Sequence, residues 1–381
     1  MESKREMQRF IDDMKRGRVS RRDFNRALAA VGLTTITMPL LPRSVLAAPD
    51  DHPMCFTWAT YDTPEMHQEY IDKYGESPRF TLWGDEEEAE AKMIAGFKPD
   101  VSMPCSYKVK KWTDAGFLKP IDVSRLSHWD DVIPTLKDVP DTVYDGNRMW
   151  VCAWWGLTSV TFRTDLAPEY VDPANHSWGI LWDPKYKGRL SMIDSLIDGV
   201  MVAAIYSGAK DPFNMTPEEV EKVKKLMQEQ LPLLRFYTNS TTTWEQALAS
   251  GEVIAAASWN STILNLSKQG LPVAFMNPKE GPMTWTCGIS LMSYVSPELE
   301  DRAYDLIDAF LSPDTGEHWI MEFGMGHSNK DIYGNLSADD LIQRGLTPDD
   351  IEAYIAAGIF QATIQNEPEL QAMYEEVKAG M

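Results

Sequence analysis

From Cys55 to Gly116 short apolar runs alternate with stretches of helical pattern, and this alternation restricts the chain to an α/β architecture. Cys55 to Tyr61 reads as a strand and Thr63 to Tyr74 as the helix after it. Arg79 to Trp83 and Glu86 to Ala95 repeat the pair. Asp100 to Met103 forms a third strand ending at Pro104, and Tyr107 to Gly116 the next helix. Loops at the carboxyl ends of such strands are where open α/β sheets bind ligands.

The middle of the chain contains a continuous aromatic run, Met149 to Gly156, which suits a buried strand running towards a boundary. Val160 to Thr164 continues on the far side, so a lobe boundary is expected near Trp155 to Thr158. Thr216-Pro217-Glu218-Glu219, Ser296-Pro297-Glu298 and Thr347-Pro348-Asp349-Asp350 each offer a cap, an early proline and favourable carboxylates for a helix start. Val253 to Trp259 and Val273 to Met276 are further strand candidates. The segment Asn277 to Leu291 then turns on Pro278, Gly281 and Pro282 and carries Trp285 and Cys287. A Pro/Gly-rich turn with a large aromatic suits a chain crossing that lines a ligand site.

Ser20-Arg21-Arg22-Asp23-Phe24, the weakly apolar stretch Ala27 to Leu41 and the small residues at Ala47-Ala48 resemble a twin-arginine export signal, with cleavage expected after Ala47. Charge agrees with this reading. Residues 1–48 carry ten Lys and Arg against five Asp and Glu, so a chain of net −21 leaves −26 on the remainder. An acidic body excludes nucleic acid and anionic lipid as partners. The roughly 333 residues after the leader exceed one ordinary core, which implies two lobes. Cys55, Cys105, Cys152 and Cys287 allow three pairings if all are oxidised, and buried separate thiols are the expectation for a core of this size.

Enzyme and cofactor signatures are missing: the sequence holds no His-Glu-x-x-His, no phosphate-cradling loop, no Gly-x-Ser-x-Gly and no Gly-x-Gly-x-x-Gly. Its six histidines show no ligand spacing. Asp85-Glu86-Glu87-Glu88 reads as the solvated first turn of a helix rather than a cation site. The aromatic residues are more informative. Trp58, Trp83, Tyr107, Trp154, Trp155, Trp259 and Trp285 fall mostly at expected strand ends or turns, and aromatic faces around a pocket attract cations.

The order Trp58-x-x-Tyr61, Pro104-Cys105-Ser106-Tyr107-Lys108-Val109, Trp155-Gly156 and Ser177-Trp178-x-x-Leu181-Trp182-Asp183-Pro184-Lys185-Tyr186-Lys187-Gly188 resembles the spermidine/putrescine-binding proteins of bacterial ABC importers. Gly251-Glu252-Val253, Trp259, Pro278-Lys279-Glu280-Gly281, Trp285 and the closing Tyr374 to Gly380 extend the likeness over nearly the whole chain after the leader. The resemblance implies a type II periplasmic binding protein, two α/β lobes joined by two crossings with the ligand between them. Lobe one is expected to span 48–157 with 286–326, and lobe two 158–285 with 327–381. The implied partner is an ABC permease and the implied state a monomer, with no cofactor.

Carried onto this chain, the resemblance places aromatic walls at Trp58, Tyr107, Trp259 and Trp285 and an amide at Gln361. Ala59, Tyr61, Trp83, Cys105, Ser195, Asp198, Cys287 and Met325 complete the candidate ligand-binding set. Positions where the family holds carboxylates carry Cys287, Ser195, Thr60 and Thr262 here, and only Asp198 remains acidic. A buried ammonium needs a charged or well-bonded partner. One carboxylate in an aromatic box therefore favours a solute with one cationic centre, a quaternary amine or an amino acid derivative, over a diamine. A true polyamine carrier drawing on Asp62 or Asp85 is the runner-up. An exported hydrolase or a metal-binding protein using Cys105, Cys287 and His327 is the alternative from another class.

Overall fold

The computed structural model describes residues 51–346 and 351–380, so the expected export leader and the cap at Thr347-Pro348-Asp349-Asp350 lie outside the described residues. The first strands follow the pattern of the sequence: β1 (Met54–Trp58), β2 (Arg79–Trp83) and β3 (Val101–Ser102) are parallel, with helices Gln68–Tyr74 and Glu86–Ile94 between them. Strand β4 (Leu118–Lys119) and the small hairpin of β5 (Val143–Tyr144) and β6 (Asn147–Arg148) lead to β7 (Val151–Arg163). After it come β8 (Leu190–Ile193), β9 (Leu234–Thr238), β10 (Ala255–Trp259) and β11 (Val273–Phe275). The chain then enters β12 (Met283–Met292) and closes with the short β13 (Gly326–His327) and β14 (Ile359–Phe360).

Twelve of these strands form one sheet with the main order β2-β1-β3-β12-β7-β10-β8-β9. Its centre is the antiparallel pair of β7 and β12, and this pair corrects two expectations. The two segments expected on either side of Trp155 to Thr158 are a single strand of 13 residues, because β12 and β10 supply backbone partners through Gly156 and Thr158. Trp285 also stands inside a fully buried strand rather than in the turn, which ends at Pro282.

Both strands run from one hydrophobic core to the other. Val151 to Leu157 of β7 pack in a core with Phe56, Trp112 and Ile307, whereas Val160 and Phe162 pack with Leu190, Met201 and Trp244. Likewise Met283 of β12 belongs to the second core, and Trp285 to Met292 belong to the first. Within residues 327–381, expected in the second lobe, Ile332, Leu341, Leu346, Ile351 and Ile355 pack in the first core. Leu370, Met373 and Tyr374 of helix Glu367–Lys378 pack in the second.

Helix starts follow the capping logic closely. Thr216 and Glu219 form a reciprocal capping box before helix Pro217–Gln230. Asp85 caps Glu86–Ile94 by accepting the Glu88 N–H at 2.7 Å. Glu87 and Glu88 face solvent, but the side chain of Glu86 turns inward and is 1% exposed, against the expectation of a uniformly solvated acidic turn. Its carboxylate accepts the Cys105 N–H at 2.6 Å, which gives the inward orientation a partner.

Candidate functional site

Strand alternation builds one wall of a cavity of about 240 Å³ at the sheet centre. Trp154, Gly156 and Thr158 of β7 share a face and stand opposite Cys287, Trp285 and Met283 of β12, while Thr158 also pairs with Trp259 of β10. Glycine is required at position 156, where a Cβ would lie 2.0 Å from Cζ2 of Trp285. Gly326 meets the same demand beneath Trp155, with 2.2 Å to Cε2. At Cys287 the register of β12 against β7 slips by one residue, a bulge of the kind that re-aims side chains.

The other walls come from loops at strand ends. Trp58 closes β1, its Nε1 donating to the Met103 carbonyl at 3.1 Å and its ring lying 4.0 Å from that of Trp83. Thr60 then adopts φ +81°, a left-handed conformation that a β-branched residue rarely takes, and the chain turns so that Tyr61 lines the cavity. Tyr61 is held edge-on against Trp319 at 4.7 Å and Trp154 at 5.4 Å. Tyr107 enters from the first turn of helix Ser106–Asp114. Trp259 ends β10 and packs edge-to-face on Trp244 at 5.3 Å. Met325 follows the left-handed Gly324.

Among the described residues Asp198 is the one charged side chain lining this cavity, and it is 4% exposed. Its Oδ1 accepts from the Thr158 hydroxyl at 2.8 Å and from Gln361 Nε2 at 3.4 Å, and its Oδ2 accepts from the Ser195 hydroxyl at 3.0 Å. Burial raises its pKa above the usual carboxylate range, and the Thr158 and Ser195 hydroxyls oppose that rise. A cation in the cavity would reinforce the charged form. The indole N–H of Trp285 is buried without a partner among the described residues.

Tyr107 and Ile197 also border a larger outer chamber of about 540 Å³, lined by Asp85, Glu87, Lys108, Lys111, Asp194 and Glu367 among others. Its charges are largely paired: Lys108 with Glu87 at 2.7 Å, and Asp194 with Lys378 at 2.7 Å. Glu86 lies beside Cys105, and burial pushes its pKa up to about 7 against the opposing pull of Tyr107, the Cys105 N–H and Lys108.

Residues 83–344 match the family described as bacterial extracellular solute-binding protein, a span of well over half the chain. The chain belongs to this family. The solute-binding protein is similar to the spermidine/putrescine-binding periplasmic protein of Escherichia coli (strain K12), 24% identical over 368 residues that cover 94% of this chain and 99% of the relative. Among solved structures, the spermidine/putrescine ABC transporter substrate-binding protein PotD from Streptococcus pneumoniae superposes with a TM-score of 0.72 at 16% identity, over 86% of this chain and 98% of that one. MotA from A. tumefaciens B6 in complex with glucopine superposes at 0.66 and 14%, over 86% and 99%. The fold is that of the two-lobed α/β periplasmic binding proteins, and the family is one of extracellular solute-binding proteins.

Of the candidate residues, the solute-binding protein gathers Trp58, Tyr61, Cys105, Tyr107 and Asp198 around one cavity with Trp259, Trp285, Cys287, Met325 and Gln361. Three stand elsewhere. Ala59 is exposed and engaged through its N–H with the Trp83 carbonyl. Trp83 is fully buried behind Trp58, so it supports a wall without forming one. Ser195 borders the outer chamber and reaches the cavity through its bond to Asp198. Trp154 and Ile197 line the cavity and were not in the candidate set. The Trp154 signal was its place in the aromatic run, but an unbroken apolar run does not reveal which face a residue takes.

The expectation of separate thiols is corrected for one pair. Cys105 and Cys287 form a disulfide, because their segments lie side by side as an antiparallel bridge, while Cys55 and Cys152 are buried free thiols. The suggested soft-metal trio is corrected with it. The two sulfurs bind each other, and both ring nitrogens of His327 are engaged, Nε2 with the Phe310 carbonyl and Nδ1 with the Asn329 N–H. Among the described residues no group of three or more His, Cys, Asp or Glu could hold a metal ion.

Proposed function

We propose that the protein captures a small solute with one cationic centre, a quaternary amine or a zwitterionic amino acid derivative, and delivers it unchanged to an ABC permease. The observation that carries this reading is the single carboxylate, Asp198, in a cavity whose remaining lining is dominated by aromatic side chains. Aromatic faces hold a desolvated cation by quadrupole attraction, at about 2 kcal/mol or more per ring in favourable cases. A second ammonium in the same space would find no carboxylate, and a buried unpaired charge costs several kcal/mol. The neighbour solved with glucopine is consistent with a fold that serves ligands other than polyamines.

A second reading has its own support. The curated relatives are named for spermidine and putrescine, and the outer chamber holds Asp85, Glu87 and Glu367, which a long diamine could reach with its far end. A thermal-shift screen with glycine betaine, choline, γ-aminobutyrate, putrescine and spermidine separates the two. Stabilisation by the one-centre solutes alone supports the first reading, and stabilisation by the polyamines alone abolishes it.

The lobes we assign are 51–157 with 285–346 and 351–355, and 158–284 with 359–380, closing on the cavity by rotation about β7 and β12. We also assign export to the periplasm through Arg21 and Arg22, monomeric action and no catalysis. Among the described residues no helix is long and apolar enough to cross a membrane. Arg21→Lys with Arg22→Lys should leave uncleaved precursor in the cytoplasm, and normal export of that variant would remove the twin-arginine assignment.

A further inference from the structure

The bridge between Cys105 and Cys287 lies where the first core meets the wall of the cavity. Each cysteine stands two residues from an aromatic wall: Tyr107 follows Cys105 at the start of helix Ser106–Asp114, and Trp285 precedes Cys287 on β12. The surrounding contacts make the join local and firm. The Thr286 hydroxyl donates to Ser106 Oγ at 3.0 Å, and the Gly288 N–H donates to the Pro104 carbonyl at 3.2 Å. The paired sulfurs themselves bring neither charge nor a hydrogen-bond donor to the cavity. Glu86, the nearby buried acid, accepts the Cys105 N–H and stands against the Tyr107 side chain, behind the wall and outside the cavity lining.

We propose that this disulfide is a specificity-determining element: it fixes the spacing of the Tyr107 and Trp285 walls and keeps the lining at their end of the cavity uncharged, with Glu86 held behind it, so one cationic centre is held and a second is excluded. The inference rests on the one-cation reading given above. Two physical effects combine in it. A covalent tie removes relative motion of the two walls in the unliganded protein, so less ordering remains to be done when ligand binds. An ammonium lying against the disulfide has lost water and gained no counter-charge, so a diamine is penalised where a quaternary amine is not.

The test compares four forms by calorimetry with glycine betaine, choline and putrescine: the oxidised protein, the same protein reduced with dithiothreitol, C105S/C287S and C105S/C287D. On reduction each sulfur takes one electron and one proton, and the dithiol closes to its own disulfide. The oxidised form is expected to bind a one-centre probe in preference to putrescine. Reduction and C105S/C287S are expected to weaken that binding about tenfold with the circular dichroism unchanged. C105S/C287D is expected to gain putrescine affinity, which a merely structural role for the bridge would not produce. Equal affinities and equal selectivity in the oxidised and reduced forms overturn the inference and leave the one-cation reading standing. Preference of the oxidised form for putrescine overturns both. Hydrogen exchange on the oxidised and reduced protein needs no ligand, and unchanged protection across residues 104–108 and 284–288 overturns the claim of fixed walls.

Discussion

The inner cavity and the outer chamber share Tyr107 and Ile197, yet they use charge in opposite ways. The chamber is lined by several acidic and basic side chains, but these are half-exposed or already paired, as with Lys111 at 49% exposure against Glu90. Exposed pairs are screened and contribute little, typically below about 1 kcal/mol. The cavity has one carboxylate, buried and held by two hydroxyls. The proposed reading therefore places discrimination between ligands where charge is scarce, because each buried charge there must find its match.

The comparison breaks first at Asp198. Asp198→Asn should lower affinity for a one-centre cation by about 2–5 kcal/mol, the usual effect of removing one partner of a buried charge pair, as measured by calorimetry. An unchanged affinity would mean that aromatic faces alone hold the cation. Glu86 supplies the next effect, on stability. Its native pKa of about 7 lies above its ordinary value of 4.5. The native state thus holds a proton that the unfolded chain has lost, and stability falls as pH rises from about 4.5 to 7, by on the order of 3 kcal/mol. Urea denaturation across that window should show the fall in the wild type and a flatter profile in Glu86→Gln.

Gly156→Ala should cost about 1–3 kcal/mol by driving Trp285 from its place, seen as a lower melting temperature together with weaker ligand binding. A variant that melts lower but binds normally would show that Trp285 is not a wall. The smallest effect belongs to the chamber. Lys111 pairs with Glu90 at 2.9 Å and is 49% exposed, so Lys111→Ala should change affinity by no more than about 1 kcal/mol, and less at high salt. A larger loss would move part of the recognition outward.

The alternation of strands and helices was readable at the N-terminal end because β1, β2 and β3 are short runs bounded by turns and helix caps. The central strands were harder. Gly156 looked like the end of a strand, but it is glycine because Trp285 lies against its Cα, a contact across 129 positions that no local pattern reveals. The same distance problem concealed the disulfide, whose cysteines are 182 residues apart, since spacing does not determine connectivity. Among four successive acids, nothing in the sequence distinguished Glu86, which turns inward, from its solvated neighbours. Candidate residues such as Tyr107, Asp198 and Gln361 came from family resemblance rather than periodicity. The sheet then supplied the reason they converge, since Thr158 on β7 holds Asp198 on the face that carries Trp154 and Trp285.

The central claim is that the cavity accepts one cationic centre. Calorimetric titration of the intact, disulfide-bonded protein with glycine betaine, choline, γ-aminobutyrate and spermidine in the same buffer tests it most directly. The account predicts micromolar or tighter binding of at least one of the first three and no comparable binding of spermidine. Micromolar or tighter binding of spermidine, with none of the one-centre solutes bound, would contradict it.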